Sequence, residues 1–164
     1  MSEIERLTRE WAPALAGFLK NDPEAVAFVA QCCAVAHIWD DLIDRDQPVS
    51  DQDINGAFWI ALIELPRNGF YRRHFAELQP VMRLVATNWL AATRMERDGT
   101  HREITYVLRS AYIDILTTAA SLVGGQQWAN QITPDIRRWA HAESYPEYVA
   151  NIQLEQETRD GALQ

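Results

Sequence analysis

Residues 23–45 of the chain, which read PEAVAFVAQCCAVAHIWDDLIDR, decide the fold. Between Ala25 and Trp39 this stretch is apolar on nearly every side, a pattern that is typical of a helix buried all round. Asn21 and Asp22 provide a polar cap, and Pro23 suits the first helical turn. The sequence therefore predicts a central, buried helix from about Pro23 to Arg45.

Apolar residues on both sides of this stretch recur at the three- and four-residue spacing of helices. The further predicted helices span about residues 2–19, 50–65, 75–98, 100–124, 126–131, 133–142 and 145–154. No strand pattern or fixed-period repeat interrupts them. We therefore expect a single all-α domain over residues 1–154, a compact bundle of six to eight helices, followed by a polar, flexible tail at 155–164.

Charge and composition narrow the classes of partner. The 164 residues contain 23 acidic and 15 basic side chains, a net charge of −8. This excess of acid disfavours binding to duplex nucleic acid, which depends on lysine and arginine. It leaves open a cation site, a local arginine patch, a basic protein partner, or a homodimer that covers large apolar residues.

Cysteine usage and the N-terminus indicate a compartment. Cys32 and Cys33 are neighbours within one predicted helix and are not placed for an ordinary disulfide, which favours a reducing environment. The N-terminal segment is amphipathic and charged, unlike a signal peptide. No apolar run approaches the ~20 residues of a membrane span. We expect a cytoplasmic protein without a membrane partner.

Asp40, Asp41 and Asp44 form the strongest local signal. They place carboxylates on one face at the C-terminal end of the buried helix. The helix dipole is negative there, so each acid costs up to ~1 kcal/mol. A bound Mg²⁺ ion, which prefers carboxylate oxygens, would offset this cost. The alternative is a solvated helix end balanced by arginines.

Other polar residues are candidates to complete such a site. Inward-facing positions on the next helices supply three further metal ligands, namely Asn88, Glu96 and Asp114. Arginines near them would donate to a phosphate group, and the candidates are Arg72, Arg73, Arg102 and Arg109. The alternative for each is a structural hydrogen bond or an ordinary salt bridge. No nucleophile or general base stands out, so the catalytic residues stay undefined.

The segment Asp40-Asp41-Leu42-Ile43-Asp44 resembles the first aspartate-rich motif, D-D-x-x-D, of the isoprenoid synthases. In that all-α family the motif binds Mg²⁺ ions that hold a substrate diphosphate. The stretch from Asn88 to Glu96 matches the family's second metal motif only at its two ends, because Trp89 and Ala92 replace polar ligands. The resemblance implies an isoprenoid-synthase-like fold and a Mg²⁺-dependent site for a phosphorylated small molecule.

Most of the chain is similar to small helical proteins encoded by tailed bacteriophages. The similarity lies in residues 36–71 and 106–125. It implies a location in the cytoplasm of a bacterial host and defines no activity. Two functions therefore stay open, a Mg²⁺-dependent site for a phosphorylated ligand and a non-catalytic accessory protein that binds a host or phage macromolecule.

Overall fold

The computed structural model describes residues 2–45 and 48–162, with side chains through Leu154. These residues form helices and contain no strand, which confirms the all-α prediction. The helices are α1 (Glu3–Phe18), α2 (Pro23–Asp44), α3 (Asp51–Trp59), a π-helical segment (Ile60–Glu64), α4 (Leu65–Arg67), α5 (Gly69–Arg73), α6 (Phe75–Arg97), α7 (Arg102–Arg109), α8 (Ile113–Gly124), α9 (Gln126–Ala140) and α10 (Tyr145–Ala162). The backbone of α10 thus continues into the stretch that the sequence assigns to a tail.

Helix α2 lies at the centre of the bundle, as the sequence predicts. It contacts α1, α3, α5 and α8, and the side chain of Asp22 caps it by accepting from the backbone N–H of Ala25 at 2.9 Å. Its buried residues line the main apolar core, and they are Ala25, Phe28, Val29, Ala30, Cys32, Cys33, Ala34 and Ile38. Burial of this surface is the main source of stabilisation for the fold.

Helix α2 is also long and apolar enough, by length and composition, to cross a membrane. This differs from the sequence-based prediction that no segment approaches a membrane span. In its most apolar window 39% of the residues are buried inside the fold. The observation is weak evidence for a membrane segment, because the core helix of a bundle passes the same test.

The predicted helix over 100–124 is wrong, since the chain breaks between α7 and α8. Residues 110–112 form tight turns in which the N–H of Ile113 donates to the carbonyl of Ser110 at 3.0 Å. Helix α7 begins after His101, which occupies the N-cap position in the left-handed conformation and whose side chain makes no cap bond. The break lets α7 pack on α6 while α8 packs on both α6 and α9.

The two helices predicted at 126–131 and 133–142 are a single helix, α9, that passes through Pro134. A proline inside a helix removes one backbone hydrogen bond. Here Ala129, Ile132 and Ile136 form a continuous buried stripe on either side of the proline. Packing of this stripe against α8 outweighs the lost hydrogen bond, so tertiary contacts override the local signal.

Gly124 ends α8 where the ring of Trp128 closes over it. A Cβ atom at Gly124 would lie 2.6 Å from Cγ of Trp128, well inside van der Waals contact. The ring is fixed because its Nε1 donates to the carbonyl of Phe18 at 2.9 Å, which ties α9 to the end of α1. The absence of a side chain at 124 is therefore a packing requirement.

We predict that Gly124→Ala lowers the free energy of unfolding by about 1–3 kcal/mol, because the added methyl group forces Trp128 out of place. Gly17→Ala is the matched control, since Gly17 lies inside α1 with nothing within 4 Å of the added Cβ. This variant gains about 0.5–1 kcal/mol from helix propensity. Urea unfolding followed by circular dichroism measures both, and equal shifts would contradict the packing argument.

Candidate functional site

Arg109 is the centre of a group of carboxylates that come from two different helices. Its Nη2 atom donates to both oxygens of Asp40 at 2.8 Å and to Oδ2 of Asp44 at 2.7 Å. Its Nη1 atom donates to Oε1 of Glu96 at 2.9 Å. We call these four residues the Arg109 cluster.

The helices place the members of the Arg109 cluster in a simple way. Asp40 and Asp44 are one turn apart on α2, so both point to the same side. Glu96 lies in the last turn of α6, and Arg109 is the last residue of α7. The end of α7 at Arg109 therefore brings a guanidinium to the C-terminal end of α2, where the helix dipole is negative.

Two aromatic side chains add hydrogen bonds to the cluster. Nε1 of Trp89 donates to Oδ1 of Asp40 at 2.9 Å, and the hydroxyl of Tyr148 donates to Oε2 of Glu96 at 2.7 Å. Burial, together with this bond to a carboxylate, raises the pKa of Tyr148. The phenol therefore stays protonated and acts as a donor at neutral pH.

The cluster holds more negative than positive charge. Asp44 is only 9% exposed and Arg109 only 18%, whereas Asp40 is 32% exposed. Burial lowers the pKa of Arg109, but Asp40, Glu96 and Asp44 more than compensate and raise it. Burial and the neighbouring Asp44 raise the pKa of Asp40 although Arg109 opposes them. With all four groups ionised the cluster carries a formal charge of −2.

The structure brings together some of the predicted site residues and separates the others. Of the predicted metal ligands, Asp40, Asp44 and Glu96 meet, and of the predicted phosphate donors only Arg109 joins them. Oδ2 of Asp41 lies instead 3.6 Å from Nε2 of His37. The remaining candidates lie elsewhere.

Asp114 accepts from Arg137 at 2.5 Å, and Arg73 pairs with Glu24 at 2.7 Å. The side chain of Arg72 is exposed. Asn88 and Arg102 are partly exposed residues of α6 and α7 and contribute no contact to the cluster that the structure records.

The present arrangement does not fit a Mg²⁺ ion. The carboxylates of Asp40, Asp44 and Glu96 each accept from Arg109, so a guanidinium occupies the position between them. In the described part of the chain no group of three or more histidine, cysteine, aspartate or glutamate side chains is arranged to hold a metal ion. Magnesium binding therefore stays a prediction from the sequence.

A cavity of about 290 Å³ lies beside the cluster, and sequence reasoning missed it. Asp40 and Arg109 belong to its wall, so the cluster forms its charged end. Most of the remaining wall is apolar or aromatic, and it consists of Trp11, Cys32, Cys33, Val35, Ala36, His37, Trp39, Leu65, Met82, Val85, Ala86, Trp89, Tyr112 and Ile115. The centroids of the Trp39 and Trp89 rings are 4.5 Å apart. The one signal in the sequence was the unusually apolar body of α2.

A second, smaller cavity of about 90 Å³ also has Arg109 in its wall and lies between α7, α9 and α10. In its wall, Oγ of Ser110 is 3.3 Å from Nδ1 of His141. Burial and the charge of Arg137 lower the pKa of His141, which keeps the ring neutral. The ring of Tyr106 covers this histidine at 4.9 Å between centroids.

No family model, no curated protein and no solved structure matches the chain.

We predict that Arg109→Gln lowers the free energy of unfolding by about 3 kcal/mol or more, because three largely buried carboxylates lose their cation. Urea unfolding at neutral pH measures the loss. Protonation of the carboxylates relieves their repulsion, so the native state of the variant binds extra protons and regains stability as the pH falls.

Arg138→Gln is the control for loss of a charge. Arg138 pairs with Asp135 at the surface, with the two side chains 76% and 67% exposed. Such pairs contribute less than about 1 kcal/mol. If both arginine variants lost the same small amount of stability, the Arg109 cluster would have no structural importance.

The reactivity of Cys32 and Cys33, which line the cavity, tests whether their thiols are buried and protonated in the native protein. Burial raises the pKa of Cys33 to about 12 and also raises that of Cys32. We predict that a disulfide reagent modifies neither thiol in the native protein at mildly alkaline pH, since the thiolate is the reactive form. Both thiols react at the ordinary rate in denaturant, and rapid modification of the native protein would contradict this prediction.

The raised pKa of Cys33 also makes the free energy of unfolding depend on pH. Above pH 9.0, the ordinary value, an unfolded Cys33 loses its proton while the native thiol keeps it until about pH 12. The native state then holds more protons than the unfolded state, so the thiol reduces stability as the pH rises through this window. Cys33→Ala should flatten the fall in unfolding free energy over that range.

Proposed function

We propose that the protein binds a small molecule in the cavity between α2, α6 and α8. The observation that carries this proposal is the combination of an apolar wall with one charged end in a single cavity. Ligand sites in proteins commonly have this composition, in which apolar surface supplies affinity and a few polar groups fix orientation. The volume of about 290 Å³ is at the lower end of the range for such sites and suits a small ligand.

The surroundings of the charged end support the proposal. Trp89 lines the cavity and donates to Asp40, so one side chain both shapes the apolar wall and orients the carboxylate. Asp40 is the most exposed of the three carboxylates and is also the one in the wall. A ligand in the cavity would therefore meet this carboxylate directly.

The narrower form of the proposal is the Mg²⁺-dependent site for a phosphorylated ligand that the aspartate-rich motif predicts. Asp40, Asp44 and Glu96 would be its carboxylate ligands. The geometry supports it less well, because Arg109 contacts each of these carboxylates. Calorimetry with Mg²⁺, with and without pyrophosphate, on the wild type and Asp40→Asn is the direct test.

We predict that a small neutral aromatic probe such as indole binds saturably, and that Ala86→Phe abolishes the binding. Ala86 lines the cavity, and a phenyl group there would fill much of its volume. Ala91→Phe is the matched control, because Ala91 lies on the same helix with its side chain exposed. Calorimetry or chemical-shift titration measures both variants. Equal binding to both would place the probe outside the cavity and contradict the proposal.

A specific observation favours the second candidate, an accessory protein that binds a macromolecule. Around the π-helical segment, Phe58 and Trp59 are each 60% exposed and Leu62 is 68% exposed. Adjacent exposed side chains of this size are typical of interaction surfaces. Trp59→Ser should weaken binding to an identified, purified host or phage partner, or reduce homodimer formation in sedimentation, without lowering stability.

A further inference from the structure

The wall of the 290 Å³ cavity points to the charge of its ligand. Its acidic member, Asp40, belongs to the Arg109 cluster, in which three carboxylates face one guanidinium. Arg109 also belongs to the wall, but its charge is more than offset by its three partners. With all four groups ionised, the Arg109 cluster behind this end of the cavity is negative overall and disfavours an anion.

A second feature of the wall is its aromatic content. Trp11, Trp39, Trp89 and Tyr112 all line the cavity. The faces of such rings attract cations, most strongly for indole, and rings of this kind recognise quaternary ammonium groups in proteins. Trp89 connects the two features, because its Nε1 donates to the carboxylate of Asp40.

From this charge complementarity we propose that the ligand is a small organic cation, an amine or quaternary ammonium compound with an apolar body. This inference rests on the proposed small-molecule function of the cavity. The ammonium group lies at the Asp40 end and the apolar body lies among the tryptophans and the side chains of Val35, Met82 and Val85.

The hydrogen bonding of Asp40 is compatible with an ammonium group as the ligand. Its two oxygens accept from Nη2 of Arg109, and Oδ1 also accepts from Trp89. Each carboxylate oxygen has more than one acceptor site, so an ammonium group has room to donate to Oδ2. Burial and Asp44 raise the pKa of Asp40 although Arg109 opposes them, and a bound ammonium group would favour the ionised carboxylate.

Three probes of similar shape test the charge preference: phenethylamine, which is a cation at neutral pH, phenethyl alcohol, which is neutral, and phenylacetate, an anion. Calorimetry at low salt, or quenching of tryptophan fluorescence, gives the three affinities for the wild-type protein. We expect the amine to bind about tenfold more tightly than the alcohol, and the anion to bind most weakly.

Two variants test whether Asp40 is the source of the preference for the amine over the alcohol. Asp40→Asn keeps the shape of the side chain and should reduce the amine's advantage over the alcohol to less than about threefold, while the alcohol binds as before. Asp44→Asn is the matched control, because Asp44 pairs with the same arginine but lies outside the cavity wall. It should keep most of the preference. The three-probe comparison on the wild type remains decisive even if Asp40→Asn does not fold.

The outcomes separate the two proposals. If the alcohol or the anion binds as tightly as the amine, the cation inference is overturned while the cavity function stands. If none of the probes binds at millimolar concentration, the proposed small-molecule function itself fails, and the cation inference fails with it. An amine preference that Asp44→Asn removes and Asp40→Asn leaves intact would also overturn the assignment of Asp40.

Discussion

The ion pairs of Arg109 are the constraint on which the site depends. They join α7 to Asp40 and Asp44, 69 and 65 residues earlier in the chain, and to Glu96, 13 residues earlier. A guanidinium at this place requires α7 to end at Arg109, which is where the chain breaks before α8. The break that sequence reasoning missed is thus the feature that completes the cluster.

Three carboxylates buried around one arginine add little net stability to a fold, because removing their charges from water costs free energy. Buried ion pairs often contribute less than apolar residues of the same volume, although removing one partner is costly. The chain places this cluster beside a cavity that is otherwise apolar, with Asp40 shared between the two. The cost is consistent with a binding role, because the same desolvation makes a carboxylate more attractive to an incoming cation.

The sequence was sufficient for the parts of the fold that depend on local pattern. The cap at Asp22 and the apolar body of α2 predict the central helix, and the spacing of Asp40 and Asp44 predicts their common face. It was insufficient where long-range packing decides. Residues 110–112 contain no glycine or proline to indicate that a helix ends there. Pro134 does suggest a helix end, but the buried stripe of α9 keeps the helix continuous. The candidates Glu96 and Arg109 could be named, but their pairing could not.

The two kinds of cation considered for the site differ in what they require of the wall. Mg²⁺ keeps its water or exchanges it for oxygen ligands, and here Arg109 contacts the carboxylates that would supply them. An organic cation requires one carboxylate and a surface that covers its apolar body. In the proposed site Asp40 would meet the first requirement and the tryptophans of the wall the second. The chemistry of the wall, rather than the number of acids, therefore favours the organic cation.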